Sequence, residues 1–357
     1  MMSKRQLVLE DGTVFIGTQF GSDTIKYGEV IFNVNMTGYQ EMITDPANYN
    51  QIIVSTYPVI GSYGINSDDS EAIEPVISGL IVREINHLPS NFRSEESLSD
   101  YLKTYNIPGI SGVDTRELIK VLRKKGTLRG AIASMDLSPD VIVNRLKNNR
   151  SSDDEVTQTS IAKPYIIPGT GDRIVVMNLG MKQSILQELT ERKCHITVVP
   201  YDYTAEQIMR FKPNGVIISH GPGSPLVLEK SVMTIKALID KTAILGIGLG
   251  HQLFALANDL EVERTKYGNH NSSYPVKKLA SDVSYLTNQN THYVVNRESA
   301  NESKLEVIYE GLNDQTVQGL KVSDKKAMSV QFNPEGSPGT NEANFVFDEF
   351  LNLIKIK

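Results

Sequence analysis

Residues 246–252, Gly-Ile-Gly-Leu-Gly-His-Gln, constrain this chain more than any other stretch. An apolar run at 242–247 leads straight into them, and a helix-like stretch, Leu253, Phe254, Ala255, Leu256 and Ala257, follows. Strand, glycine corner and helix in that order form the layout of a nucleophile elbow, a tight turn that lifts one side chain above a sheet edge. The apex is Gly248, which has no side chain to lift. Glycine accepts a positive φ without steric cost, so it relaxes a corner that only function would keep strained. About 85 positions on, a second strand-like run at 327–332 ends in Asn333-Pro334-Glu335.

Composition bounds the setting. A chain of 357 residues is long enough for two domains, each with its own core. Its apolar share of 40% and charged share of 22% are those of a soluble globular protein. A net charge of −6 points away from nucleic acid and anionic membranes. No apolar stretch approaches the roughly 18 to 20 residues that span a bilayer. The start, Met1-Met2-Ser3-Lys4-Arg5, runs into a strand-like segment and not into a signal-peptide core. One cysteine, Cys194, rules out an intramolecular disulfide, so a cytoplasmic location is expected.

The expected organisation is α/β in two domains, 1–150 and 167–357, joined by a linker at 151–166. A polar stretch at 148–163, rich in Ser, Asp and Thr, motivates the linker. The first half carries short strand signals at 6–9, 13–17, 29–33, 51–56 and 76–83, with helical patterns at 98–105 and 115–125. It reads as β-rich. The second half alternates: strand 174–179, helix 182–192, strand 195–201, helix 205–211, strand 215–219. Such alternation argues for a parallel sheet covered on both faces, with sites at the carboxyl ends of its strands.

The elbow and the Asn-Pro-Glu segment together resemble the class I glutamine amidotransferases, whose cysteine sits in Gly-x-Cys-x-Gly and whose histidine and glutamate form His-Pro-Glu. The first half narrows the resemblance. It carries Phe32-Asn33-Val34-Asn35-Met36-Thr37-Gly38-Tyr39-Gln40-Glu41, Thr44-Asp45-Pro46, Tyr57-Pro58-Val59-Ile60-Gly61, Ser90-Asn91-Phe92-Arg93 and Gly112-Val113-Asp114-Thr115-Arg116. In this order, and through to about Phe350, the chain is similar to the small-subunit family of carbamoyl phosphate synthetase. The resemblance implies a β-rich N-terminal domain peculiar to that family, which docks on a large subunit, and a flavodoxin-like C-terminal glutaminase domain. It also implies a ligase complex in which ammonia from glutamine reaches the large subunit, which would hold the ATP and magnesium. This chain would need no cofactor or metal of its own. The carbamoyl phosphate would serve arginine or pyrimidine synthesis.

The resemblance places Gly248 at the nucleophile position, Asn333 at the base position and Glu335 at the position of the residue that orients the base. Glutamine hydrolysis needs a thiolate, a proton acceptor and oxyanion donors. Gly248 cannot attack, and the Asn333 carboxamide has no titratable group near neutral pH. The implied glutamine pocket has drifted too. Ala47 stands where a serine is usual, and the loop His220-Gly221-Pro222-Gly223-Ser224-Pro225 keeps its glycines but not the asparagine before them. Asn288-Gln289-Asn290-Thr291-His292-Tyr293 carries bulky His292 in place of a glycine, and 268–275 also departs from the family pattern. Leu249, Gln252, Asn290 and Tyr293 remain as candidate ligand contacts. Departures in several segments together indicate a relaxed site and not a single engineered knock-out.

Plainer readings compete at several positions. The third glycine of 246–250 comes one residue too early for a dinucleotide loop. Cys194 is expected to be a buried packing thiol. The six histidines lack metal spacing. His292 or His270 as a substitute base would have no nucleophile to serve. Ser219-His220 are adjacent strand residues facing opposite ways, and Asp114 reads as a helix cap. Three functional readings follow: a scaffolding small subunit of an ammonia-dependent complex, a stand-alone regulatory protein binding glutamine or another amino acid in the old pocket, or a glutaminase with unconventional chemistry.

Overall fold

The computed structural model describes residues 3–148 and 153–355. The chain forms two units, one from residues 1–152 with 266–270, the other from 153–265 with 271–357.

The first unit is built on a closed barrel. Its strands run in the order Lys4–Leu9, Val14–Gly21, Pro108–Ser111, Gly79–Ile81, Gln51–Ser55, Lys26–Asn33 and Leu128–Ser134, the last pairing back to the first. Closure leaves no free edge in this sheet, which removes the usual template for edge-to-edge association. Alternate residues share a face: Leu7, Leu9, Val30, Ile52, Val54 and Ile132 gather in one apolar cluster. The opposite-facing Ile31, Ile53 and Leu80 pack with Leu98 and Leu102 of the helix Leu98–Thr104. The helix Thr115–Lys125 starts where the sequence reading puts it, because Asp114 Oδ1 accepts from Glu117 N at 3.0 Å. It buries Leu118 and Leu122 and ends at Gly126, φ 94°.

The second unit is built on a ten-stranded sheet. Five parallel strands form its centre: His195–Pro200, Arg173–Asn178, Gly215–Ile218, Ala243–Ile247 and Ala327–Val330. Numbered in chain order they lie 2-1-3-4-5, the flavodoxin-like arrangement. Apolar clusters cover both faces. One includes Val175, Ile218, Leu253 and Phe254, the other Ile174, Ile217, Phe347 and Phe350.

The structure corrects the sequence reading twice here. The sheet is not parallel throughout. Val317–Val322 pairs antiparallel with Ala327–Val330, and the long strands Val283–Val295 and Val262–Lys278 extend it further. The stretch 151–166, read as a linker, contains the helix Glu155–Thr159 and the start of the edge strand Tyr165–Ile167. Val156 joins the core of the second unit, and Ser160 Oγ donates to Asn178 O at 2.6 Å, so the polar side chains serve backbone satisfaction. Residues 151–152 of that stretch lie outside the described residues.

Candidate active site

The strand Ala243–Ile247 is buried at every position and delivers the chain to Gly248, φ 58° and ψ −110°, from which the helix Leu249–Ala257 starts. A side chain at that φ would be strained. The flanking glycines are required by packing. A Cβ on Gly250 would lie 2.1 Å from Ile218 O, and one on Gly246 would lie 2.6 Å from Gly250 O. Gly248 N donates to Val330 O at 2.9 Å and Gly250 N to Ser219 O at 3.1 Å, which ties the corner to both neighbouring strands.

Three segments converge on the apex. A Cβ on Gly248 would lie 2.8 Å from His220 Cβ and 3.8 Å from Asn333 Oδ1. The positions assigned from sequence to nucleophile and base are therefore side by side, 85 residues apart in the chain. Asn333 N donates to Asn288 O at 2.8 Å, and Asn288 Nδ2 donates to Gly336 O and Pro338 O at 2.5 and 2.6 Å. The 333–338 loop is thus clamped from the neighbouring strand. Asn333 is 2% exposed, and its Nδ2 finds no hydrogen-bond partner among the described residues.

Glu335 has a partner that the sequence reading missed. Lys182 Nζ lies 2.6 Å from Glu335 Oε1, with both side chains fully buried, and also donates to Ser337 O at 2.8 Å. In this chain the Glu335 carboxylate thus sits in a buried ion pair. A signal for Lys182 existed in the sequence: it follows the first parallel strand by a few residues, at the carboxyl edge where site groups collect.

The remaining candidates fall into place less simply. Gly221 is pressed against the backbone, since a Cβ there would lie 2.1 Å from Leu179 O, and Gly223 adopts φ 82° beside Glu155. Leu249 is buried at the helix start. Gln252, a candidate ligand contact, spends its amide nitrogen inside the protein: it donates to Thr291 Oγ1 at 2.8 Å, Tyr293 O at 3.0 Å and Gln331 Oε1 at 3.3 Å. Asn290, His292 and Tyr293 lie on the strand Val283–Val295. Burial, then the charge of Arg264, pushes the His292 imidazole down to about 3, so it is a poor base. Ala47 belongs to the first unit, in the turn Pro46–Asn48, where its N–H donates to Asp45 Oδ1 at 2.9 Å. His270 also belongs to the first unit. Ser219 Oγ donates to His220 O at 2.8 Å and accepts from Leu179 N at 3.0 Å, which leaves it a backbone clasp. Cys194 is 2% exposed, and burial pushes its thiol up to about 11.

His251, next to the elbow, has a measurable consequence. It is fully buried, with Nδ1 2.9 Å from Ser329 Oγ, and burial pushes its imidazole down to about 3. Unfolded, the ring takes a proton below about pH 6.5; folded, it stays neutral until near pH 3. The unfolded state therefore binds more protons across that window, and stability falls as pH falls through it. Between pH 7 and pH 5 the expected loss from His251 alone is about 2 kcal/mol, and His292 acts in the same direction. Urea unfolding at the two pH values checks this. The His251→Gln variant should lose about one proton's worth of the slope, and an unchanged slope would refute the assignment.

Residues 7–132 match the family described as carbamoyl-phosphate synthase small chain, CPSase domain, and residues 175–353 match glutamine amidotransferase class-I. A protein of Oceanobacillus iheyensis named carbamoyl phosphate synthase small chain is 48% identical over 99% of this chain and 97% of its own length. A Bacillus cereus protein of the same name is 48% identical over 99% of this chain and 96% of its own. A Halalkalibacterium halodurans protein named carbamoyl phosphate synthase pyrimidine-specific small chain is 46% identical, covering 99% of this chain and 97% of its own.

Proposed function

Because this chain belongs to the carbamoyl phosphate synthase small-chain family, we propose that it is the small subunit of a complex whose large subunit takes ammonia directly, its own glutaminase activity being lost. The carrying observation is the pair Gly248 and Asn333: adjacent across the apex, one without a side chain and the other without a titratable group. In a worked protease triad, removal of the nucleophile alone costs on the order of 10⁶ in kcat. Glu335 offers no rescue, since its carboxylate is engaged by Lys182. Pyrimidine synthesis is one outlet for the product, in line with the name of the Halalkalibacterium relative. An amino-acid sensor finds less support, because Gln252 spends its amide on Thr291, Tyr293 and Gln331.

The test is carbamoyl phosphate synthesis by the chain with its cognate large subunit. Ammonium should sustain synthesis and glutamine should not. Synthesis from glutamine at a comparable rate would overturn the proposal, since some other group would then supply the nucleophile.

A further inference from the structure

The helix Leu249–Ala257 starts inside the protein with its positive end uncompensated. Its N-cap, Gly248, has no side chain to accept from the first turn, and no Asp or Glu stands in that turn. Three of the first four amides are satisfied: Gly250 N donates to Ser219 O at 3.1 Å, and His251 N and Gln252 N donate to Gly248 O at 3.1 and 3.2 Å. The amide of Leu249, a residue only 4% exposed, has no acceptor among the described residues. A helix start carries about half a positive charge, and a buried one needs an acceptor or an anion opposite it.

A second group beside it has the same deficit. The Asn333 side chain is buried, and neither end of its amide is hydrogen-bonded among the described residues. The two ends can therefore exchange places without breaking a bond. Asn333 Oδ1 lies 3.8 Å from the position that a Cβ on Gly248 would take, and His220 Cβ presses on that position from 2.8 Å. Outside the two chain neighbours of Gly248, no other residue comes closer to it than 3.8 Å. The place of a nucleophile side chain is thus bounded by an unused amide hydrogen and an unused carboxamide. The charges nearby cancel or are absent: Lys182 Nζ pairs with Glu335 Oε1 at 2.6 Å, and burial keeps the His251 imidazole neutral.

Buried donors left without acceptors call for a guest that accepts. Water meets only part of this demand, because its own hydrogens need acceptors in turn, whereas an anion brings none and is also attracted by the helix end. We propose that a single small anion of halide size occupies the apex in place of the missing nucleophile side chain, held by the Leu249 amide and by Asn333 Nδ2. The corner then carries a diffusible negative charge where a thiolate would carry a covalent one. This rests on the same reading of Gly248 and Asn333 as the lost nucleophile and base.

The test uses the full chain and two readouts. Crystals soaked in sodium bromide should show an anomalous peak at the apex, within hydrogen-bond reach of Leu249 N and the Asn333 side chain. Urea unfolding in sodium chloride, against sodium gluconate at equal ionic strength, should show chloride-specific stabilisation. Chloride at ten times its dissociation constant should raise the folding equilibrium constant roughly tenfold. In Asn333→Asp, which sets a carboxylate beside the site, both the peak and the chloride effect should vanish. Density for water without an anomalous signal, or bromide at surface lysines alone, would overturn the proposal. So would an apex peak with no chloride-specific stabilisation below about 100 mM, since that is an adventitious ion only. The wild-type map and titration decide the matter even if the variant does not fold. Glutamine hydrolysis by this chain would overturn the functional reading above, while the bromide map would still decide this one.

Discussion

Ammonia release from glutamine by a Gly248→Cys/Asn333→His variant is expected to remain at least about a hundredfold below that of an intact class I glutaminase, even with the large subunit present. The two positions are adjacent, so the thiol and imidazole would be neighbours. Proximity does not suffice. A Cβ on Gly248 would sit 2.8 Å from His220 Cβ, a contact that must be relieved by shifting the 220–225 loop or the apex itself. A displacement of about 1 Å in a reacting group can cost 10²-fold. The amide of Gln252 is committed to internal acceptors, and the φ of 58° at the apex adds strain to any side chain placed there. Adding His220→Asn and His292→Gly to the pair should raise the rate in steps. Recovery to a rate typical of the family from the two changes alone would refute the view that the pocket as a whole has relaxed.

Lys182→Met should be the most destabilising single change at the site. It removes one member of a fully buried ion pair and leaves the Glu335 carboxylate without its cation. Breaking such a pair typically costs about 3–5 kcal/mol, whereas replacing both members with apolar groups of similar size is often close to neutral. The double variant Lys182→Met/Glu335→Leu is therefore expected to regain most of the loss. Urea unfolding of the wild type, both singles and the double closes the cycle and isolates the coupling. A cost below about 1 kcal/mol for Lys182→Met would mean that the pair is not what holds this corner.

Much of the architecture was legible in residue order, for identifiable reasons. The helix Thr115–Lys125 was found to the residue because a cap, an apolar period and a terminal glycine all coincide. The flavodoxin-like centre was readable because its strands are buried on both faces and so run apolar. The elbow was readable because packing forbids side chains at Gly246 and Gly250. What escaped was long-range or polar. The strand Val262–Lys278 buries few of its residues and shows no two-residue period, so nothing marked it as sheet. Closure of the barrel depends on the first strand meeting Leu128–Ser134, a pairing that no local pattern encodes. The Lys182–Glu335 pair joins two segments far apart in sequence, and neither residue type is expected inside a core. Composition does not separate the helix Glu155–Thr159 from a linker, because Ser and Thr side chains that satisfy backbone groups have the same composition as solvated ones.

The strand Val262–Lys278 also decides how this polypeptide can be divided. Its residues 266–270 belong to the first unit, where Lys266 O accepts from Thr127 N at 2.9 Å and the Tyr267 ring sits 5.8 Å from that of Phe32. The N-terminal unit is thus not contiguous in the chain, and one of its backbone bonds is closed by residues made more than a hundred positions later. A gene cut after codon 152 would yield a barrel with the Thr127 amide unsatisfied and Phe32 uncovered on one side. Fission of this protein into separately encoded halves, or transplantation of its first half alone, is opposed by that one strand.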